Sequence, residues 1–248
     1  MSARRILVPA AATGRELARR RVALGLLTAL PLTFYATSAH HSDHAVVTGG
    51  IAMAFSIAGA SIFAALTARP VDERLVLAGY RPRELLLGRL VLLELFGLVV
   101  SALFSVVMVL GTGPSDAWAL VAGVVMVAVT SVPFGLAVGA LAPHELEGVL
   151  ILILVVGIQL SLESTQTIAK LLPFWGAQRL LQHSIDRTVA IGAAIPVNLG
   201  YALVLLAVCA YTMRRRAPSP SQPALRRVNA NAQPFPSERR PTPPGQTT

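Results

Sequence analysis

The residues whose types could do chemistry are few in this chain, and the most compact group of them is rich in histidine. Imidazole together with carboxylate is a common donor set for transition metals, and four such residues follow one another closely: His40, His41, Asp43 and His44. His40 and His44 would share a face if this stretch were helical, but no further ligand is obvious. We therefore expect a polar loop that is protonated at acidic pH, and neither a metal site nor a cofactor bound by this chain.

The chain also lacks the patterns of nucleotide and covalent chemistry. A Walker A loop needs a lysine after a glycine-rich turn to bind the phosphates of ATP, but the single lysine, Lys170, stands between Ala169 and Leu171. No nucleophile elbow, zinc-protease helix or dinucleotide fingerprint occurs in the sequence. The one cysteine, Cys209, lies in an apolar run, where a small buried hydrophobic residue is expected. The sequence thus predicts no catalytic residue and a protein that is not an enzyme.

Composition places these residues in a membrane protein. Of the 248 residues, 54% are hydrophobic and only 13% are charged, which is about half the charged share of a soluble domain. The mean hydropathy is +0.64. A soluble globule of this length would need more charge on its surface, so the formal net charge of +9 does not indicate a protein that binds nucleic acid. The length suits several membrane spans of about 20 residues each.

Six apolar stretches predict an all-α integral membrane protein with six transmembrane helices. The fifth is marginal in length because it loses its apolar character near Glu163. The predicted spans are approximately 22–39, 46–66, 90–110, 117–141, 148–163 and 191–213. They form one transmembrane domain over 22–213, which follows a basic leader at 1–21 and precedes a tail at 214–248.

Basic residues predict the orientation of these spans. Eighteen arginines lie in the leader, in the loop after span two and in the tail, against three basic residues on the other side: Lys170, Arg179 and Arg187. By the positive-inside rule, both termini are expected in the cytosol and the protein in the cytoplasmic membrane. Cleavage of the first stretch as a signal peptide is the alternative, although Pro31 and the long leader favour a retained helix. The tail has eight prolines after residue 216 and is expected to be disordered.

The charged segment between spans two and three, 69–89, has the pattern of two consecutive helices. Asp72 and Glu73 favour a helix start, because carboxylates are stabilised at the positive end of the helix dipole. Gly79 can end that helix in a left-handed conformation, and Pro82 can begin a second helix that continues into span three. We therefore expect a short amphipathic helix at the cytosolic surface; a charged loop that only sets topology is the alternative.

This segment resembles the type-2 class of ATP-binding-cassette (ABC) exporter permeases. The resemblance rests on the acid-rich start, on Leu-x-x-x-Gly-Tyr-x-Pro, and on Leu-Leu-x-Gly-Arg at the entrance of span three. In that family this loop carries a coupling helix that docks on a separate ATPase subunit. The resemblance implies that seven residues serve in coupling: Asp72, Glu73, Arg74, Leu77, Gly79, Tyr80 and Pro82. Family members often have lysine where this chain has Arg89, a departure that keeps the charge.

Other parts of the chain, between about residues 10 and 213, agree with the same family. The leader around 15–19 resembles its cytosolic interface helix. The region 164–190 is too long for a tight turn and too apolar for a free loop, and its apolar runs are below spanning length. Trp175 in this region suits the level of the lipid headgroups. The sequence therefore predicts a re-entrant or interfacial element here, where the family has paired short helices that dip back into the membrane.

Polar and small residues within the spans are further candidates. Polar groups at mid-membrane are costly, so they usually face a cavity or a partner. Glu94 in span three could pair with a nearby arginine, and Glu163 ends span five. Gln159 in span five could line a transport pathway, or it could form an interhelical hydrogen bond. The small residues of 135–139 in span four permit close helix contact, which we interpret as packing.

Together these features predict the transmembrane subunit of an ATP-driven exporter that has a pathway but no motor. The resemblance implies two ATP-binding subunits, which use the ATP, and a second permease subunit, identical or homologous, as partners. Few charges in the spans suit a hydrophobic or amphipathic cargo, such as a drug, a lipid or an apolar peptide.

Two other classes stay open. One is a motor-free membrane carrier or a scaffold of a membrane complex. A carrier would normally show charged residues deep in the spans or an inverted repeat, and neither is evident. The other is a membrane enzyme that uses the outer histidines, for which Asp43 alone is thin support.

Overall fold

The computed structural model describes residues 21–39 and 45–216, together with the isolated positions Ala11 and Gly14. Within these ranges every regular element is a helix: α1 Arg21–Ala39, α2 Ala45–Thr67, α3 Arg69–Leu77, α4 Pro82–Thr112, α5 Ala117–Leu141, α6 Glu145–Ser161, a 3₁₀ helix Thr167–Leu171, α7 Trp175–His183 and α8 Ala194–Arg216. The predicted interface helix at 15–19, the outer histidines at 40–44 and the predicted disordered tail after residue 216 lie outside the described residues.

Four of the described helices, α2, α4, α5 and α8, are long and apolar enough to cross a membrane. The prediction of an all-helical, multi-pass membrane protein therefore agrees with the structure at this level. Helices α1 and α6 coincide with the first and fifth predicted spans but are not among the four. Helix α6 has 17 residues, about 26 Å of helix, which is short of a hydrocarbon core of about 30 Å. The marginal length of the fifth span is thus also a property of the folded helix, and the count of six spans stays a prediction.

Helices α2 and α5 form the centre of the bundle, and they approach each other closely because glycines replace side chains at their contact. A Cβ atom placed on Gly139 of α5 would lie 2.7 Å from the Cβ of Ala65 on α2, and one on Gly135 would lie 2.6 Å from the Cβ of Ser61. No side chain larger than hydrogen fits at these distances. The interpretation of 135–139 as a packing face is confirmed.

Contacts between the connections show which of them share an end of the bundle. At one end, the Arg69 guanidinium donates to the carbonyls of Gly139 (2.7 Å), Ala142 and Pro143 (3.2 Å), and so ties the start of α3, just after α2, to the end of α5. At the other end, the backbone N–H of Asp116 donates to the carbonyl of Ser184 over 3.1 Å, and so ties the α4–α5 connection to the end of α7. This grouping agrees with the predicted alternation of loops along the chain. Which end faces the cytosol is a prediction of the arginine count.

Candidate functional site: the α3 helix and a polar cleft at the opposite end

Helix α3 begins and ends where the local sequence requires. Pro70 lies in its first turn, where a missing N–H costs no hydrogen bond. At its end, the N–H of Gly79 donates to Val76 and the N–H of Tyr80 donates to Leu75, each over 3.0 Å. This is the Schellman arrangement, which needs a left-handed residue, and Gly79 has a φ of 89°. The predicted helix stop at Gly79 and the predicted start of the next helix at Pro82 are confirmed.

An ion pair anchors the inner side of α3 to α4. The Arg89 guanidinium donates to both carboxylate oxygens of Asp72, at 2.9 and 3.0 Å. The side chains are 6% and 19% exposed, respectively. Burial raises the pKa of Asp72 above its ordinary value, and the charge and hydrogen bond of Arg89 act in the opposite direction. Because Arg69, the first residue of α3, also bonds to the end of α5, the short helix is attached to the bundle at its start as well as through Asp72.

The outer side of α3 is free of such contacts to the described bundle and mixes charge with apolar surface. Glu73 and Arg74 are exposed, as are Val71 (46%) and Leu77 (80%). The structure therefore separates the seven predicted coupling residues into three groups. Asp72 points inward, Glu73, Arg74 and Leu77 point outward, and the remaining three form the turn into α4: Gly79, Tyr80 and Pro82.

Two residues near α3 that the sequence reasoning did not assign have defined roles. Arg89 is the ion-pair partner of Asp72. From the sequence it was noted only as a position where members of the resembled family often have lysine. The carboxylate of Glu84, a residue that is 3% exposed, accepts a hydrogen bond from the Arg81 N–H over 3.0 Å and caps α4. A glutamate three residues after a helix start is a capping signal that the sequence does contain.

A cleft of about 530 Å³ lies at the opposite end, between the start of α2, the end of α6 and α7. Gln159 of α6 is fully buried and donates to the Oε1 of Gln178 on α7 over 2.5 Å, which confirms the predicted interhelical hydrogen bond. The Nε2 of Gln178 donates in turn to the carbonyl of Leu162 over 2.8 Å. Trp175 Nε1 donates to the carbonyl of Ser164 over 2.9 Å. These bonds attach the chain after α6 to α7.

The two carboxylates singled out within or next to the spans lie in different places. Glu163 is exposed and lines the cleft. Glu94 is half-buried on α4 and has no ion-pair partner among the described residues. Its neighbour by two positions, Leu92, lies 3.6 Å from where a Cβ on Gly14 would stand, so Gly14 comes close to this part of α4. The structure therefore does not bring Glu94 and Glu163 together.

Asn198 of α8 is a buried polar residue that the sequence reasoning missed. Its Oδ1 accepts from the Ala177 N–H in the first turn of α7 over 3.1 Å, and its Nδ2 donates to the carbonyl of Met126 over 3.0 Å and to the hydroxyl of Thr130 on α5. One side chain thereby joins α5, α7 and α8 and occupies an N–H group that a helix start leaves unpaired. An asparagine within an apolar run is the sequence signal that could have indicated such a role.

Replacing Asn198 with leucine is expected to lower the free energy of unfolding by about 2 kcal/mol, because the Ala177 N–H and the Thr130 hydroxyl would be buried without this partner. Unfolding of the detergent-solubilised protein, followed by circular dichroism, measures this loss. Amide hydrogen exchange should increase most in α7. Gln166→Leu, at an exposed amide, serves as the control and should change stability by less than about 0.5 kcal/mol. Equal stability of the two variants would contradict the role of Asn198.

Neither a metal site among the described residues nor a similar known protein gives further information on the function of α3 or of the cleft. Among the described residues, no group of three or more histidine, cysteine or acidic side chains could hold a metal ion. No protein-family model matches the chain, and a search of curated proteins finds no significantly similar sequence. The functional interpretation therefore depends on the geometry of α3 and of the cleft, together with the resemblance carried by 69–89.

Proposed function

We propose that the chain is the transmembrane permease subunit of an ATP-driven ABC exporter and that α3 is its coupling helix. It crosses the cytoplasmic membrane six times, through α1, α2, α4, α5, α6 and α8, with both termini in the cytosol. A second permease subunit and two separate ATP-binding subunits complete the transporter. The cargo is hydrophobic or amphipathic and leaves the cell.

One observation carries this proposal: α3 is attached to the bundle on its inner side and exposed on its outer side. A helix that only sets topology needs no attachment to the rest of the bundle. Asp72 is joined to Arg89 of α4, and Arg69, the first residue of α3, is joined to the carbonyls that end α5. A force applied to the outer side would therefore reach α4 and α5 directly.

The outer side also has the composition of a docking surface. Leu77 is 80% exposed at the end of a short helix, and Glu73 and Arg74 stand beside it in the sequence. An exposed apolar side chain surrounded by charge is typical of the contact between protein partners. In the proposed cycle, closure of the ATP-binding subunits pushes this surface, and the α4–α5 end of the bundle rocks against the second permease subunit.

A pull-down from detergent-solubilised native membranes, with an ATPase assay on the recovered material, tests the proposal. The full-length wild-type chain is expected to recover a P-loop ATPase. A triple variant of the outer side, Glu73→Arg with Arg74→Glu and Leu77→Asp, should recover at least about tenfold less, because it reverses both charges and removes the apolar contact. None of the three side chains packs in the core, so the variant should fold.

The matched control changes residues of the same kind at the opposite end of the bundle. Lys170→Glu with Leu171→Asp alters an exposed cation and a leucine that is 75% exposed, and it should recover the ATPase as the wild type does. Full recovery with the α3 variant would show that α3 is not the docking helix. A wild-type preparation without any ATPase would favour the motor-free carrier or scaffold instead.

A further inference from the structure

We propose that the cleft between α2, α6 and α7 binds an organic cation with an apolar body, and that Glu163 provides the charge that selects it. The inference names a substrate class for the transporter proposed above and rests on that function for its role in export. The binding itself is a property of this chain alone and is tested without any partner.

The size and lining of the cleft suit a small amphipathic molecule. Its volume of about 530 Å³ lies within the range of about 300–1,000 Å³ that is usual for ligand sites. Val47, Leu160 and Leu162 are apolar residues of the lining, and Thr48, Thr165 and Gln182 are polar ones. A ligand with both an apolar body and a polar group would therefore find a complement for each part.

The polar wall of the cleft is built from side chains that are already held in position. Gln178 is 3% exposed, and its amide is fixed by Gln159 on one side and by the Leu162 carbonyl on the other. Gln182 accepts a hydrogen bond from the hydroxyl of Ser164. Because these groups bond to one another, they need little reorganisation when a ligand binds.

The charge of the residues that line the cleft determines whether a cation or an anion is favoured as the ligand. Among the described residues that line it, Glu163 is the only ionisable one. The arginines of α7 and of the following loop are engaged elsewhere. Arg179 donates to the Ala190 carbonyl over 2.9 Å and lies over the Trp175 ring, and Arg187 donates to the Ser115 carbonyl. A cation in the cleft would be balanced by the carboxylate, whereas an anion would be repelled by it.

The same charge argument separates a free organic cation from a phospholipid headgroup. A zwitterionic headgroup brings a phosphate as well as an ammonium group, and no lining side chain among the described residues carries the positive charge that a phosphate needs. The favoured occupant is therefore a free lipophilic cation with no anionic group of its own.

Equilibrium dialysis with tetraphenylphosphonium tests the proposal on the full-length protein in phosphatidylcholine nanodiscs. Partitioning into lipid is subtracted with the variant Thr48→Trp, in which the indole fills the cleft from α2. Saturable binding to the wild type is expected, and Glu163→Gln should weaken it by about fivefold, the upper end for an exposed charge pair. Glu147→Gln removes an exposed carboxylate outside the cleft and should leave binding unchanged within about twofold.

A second measurement needs no variant. Tetraphenylborate has nearly the same size and shape but the opposite charge, so in a separate dialysis without the cation it should show no saturable binding to the wild-type protein. The proposal is overturned if cation binding is not saturable, if Glu163→Gln and Glu147→Gln behave alike, or if the anion alone binds equally well. Since no ATPase is present in this assay, its result is separate from that of the pull-down. Cation binding by a chain that recovers no ATPase would keep the cleft assignment and reject the motor.

Discussion

Replacing Arg89 with methionine is expected to lower the free energy of unfolding by about 2–3 kcal/mol near pH 8. The reason is that the Asp72 carboxylate, which is 19% exposed, would keep its burial and lose its partner. Removal of one member of a buried ion pair costs about 3–5 kcal/mol, and the partial exposure of Asp72 reduces this figure. The double variant Asp72→Asn, Arg89→Met should recover most of the loss, because no charge is then left unpaired.

The effect of Arg89→Met should also depend on pH. Burial already raises the pKa of Asp72, and the variant removes the influence of Arg89 that opposes this rise. The folded variant therefore binds a proton more readily than the unfolded chain, and its stability falls as pH rises through the raised pKa. Unfolding measured by circular dichroism should show a smaller difference from the wild type at pH 5 than at pH 8.

Two comparisons decide whether the buried pair is responsible. Arg83→Met removes an exposed arginine from the first turn of the same helix and should change stability by less than about 0.5 kcal/mol. A loss with Arg89→Met that is the same at pH 5 and pH 8 would show that packing, and not the unpaired carboxylate, causes it. A loss no greater than that of Arg83→Met would contradict the anchor between α3 and α4.

Replacing Gly135 with valine is expected to destabilise the bundle by about 3 kcal/mol or more, the upper range for overpacking a core. Any Cβ at this position would overlap the carbonyl oxygen of Ala58 and stand 2.6 Å from the Cβ of Ser61. Ala58 and Ser61 are fully buried on α2, so neither can move aside without separating the two central helices. Thermal unfolding in detergent, together with the yield of protein inserted in the membrane, measures the effect.

Gly157 of α6 provides a control position that is not crowded. A Cβ placed there meets no atom within 4 Å. Gly157→Ala should therefore be neutral or should raise stability by about 0.5–1 kcal/mol, because alanine loses less conformational entropy than glycine when the chain folds. Equal unfolding temperatures for Gly135→Val and the wild type would show that α2 and α5 do not pack as the structure has them.

Much of the local architecture could be predicted because it depends on neighbours within one or two helical turns. The stop at Gly79 follows from the need for a left-handed residue at the end of a helix. The start of α4 at Pro82 follows from the fixed φ of proline. The apolar stretches gave the helix bounds to within a few residues over most of the chain, since a run of about 20 apolar residues has few stable conformations other than a helix in a membrane.

The candidate site was predictable only in part, because its residues meet partners that are distant in the sequence. Asp72 and Glu73 are adjacent and similar in type, yet one is paired with a residue 17 positions later and the other is exposed. Asn198 bonds to Thr130, 68 positions earlier. Nothing within a few residues of these positions indicates the partner.

The sequence by itself determined that the chain is helical, where most of its helices begin and end, and that it is apolar enough for a membrane. Only the tertiary structure decided that Asp72 anchors α3 to α4, that Glu163 lies on a cleft, and that Gly135 contacts Ala58. The physical reason lies in the central helices. Helices α2 and α5 are apolar on every side, so they have no polar face to show which way each one points, and their rotation is set by the packing of glycines and a few buried hydrogen bonds.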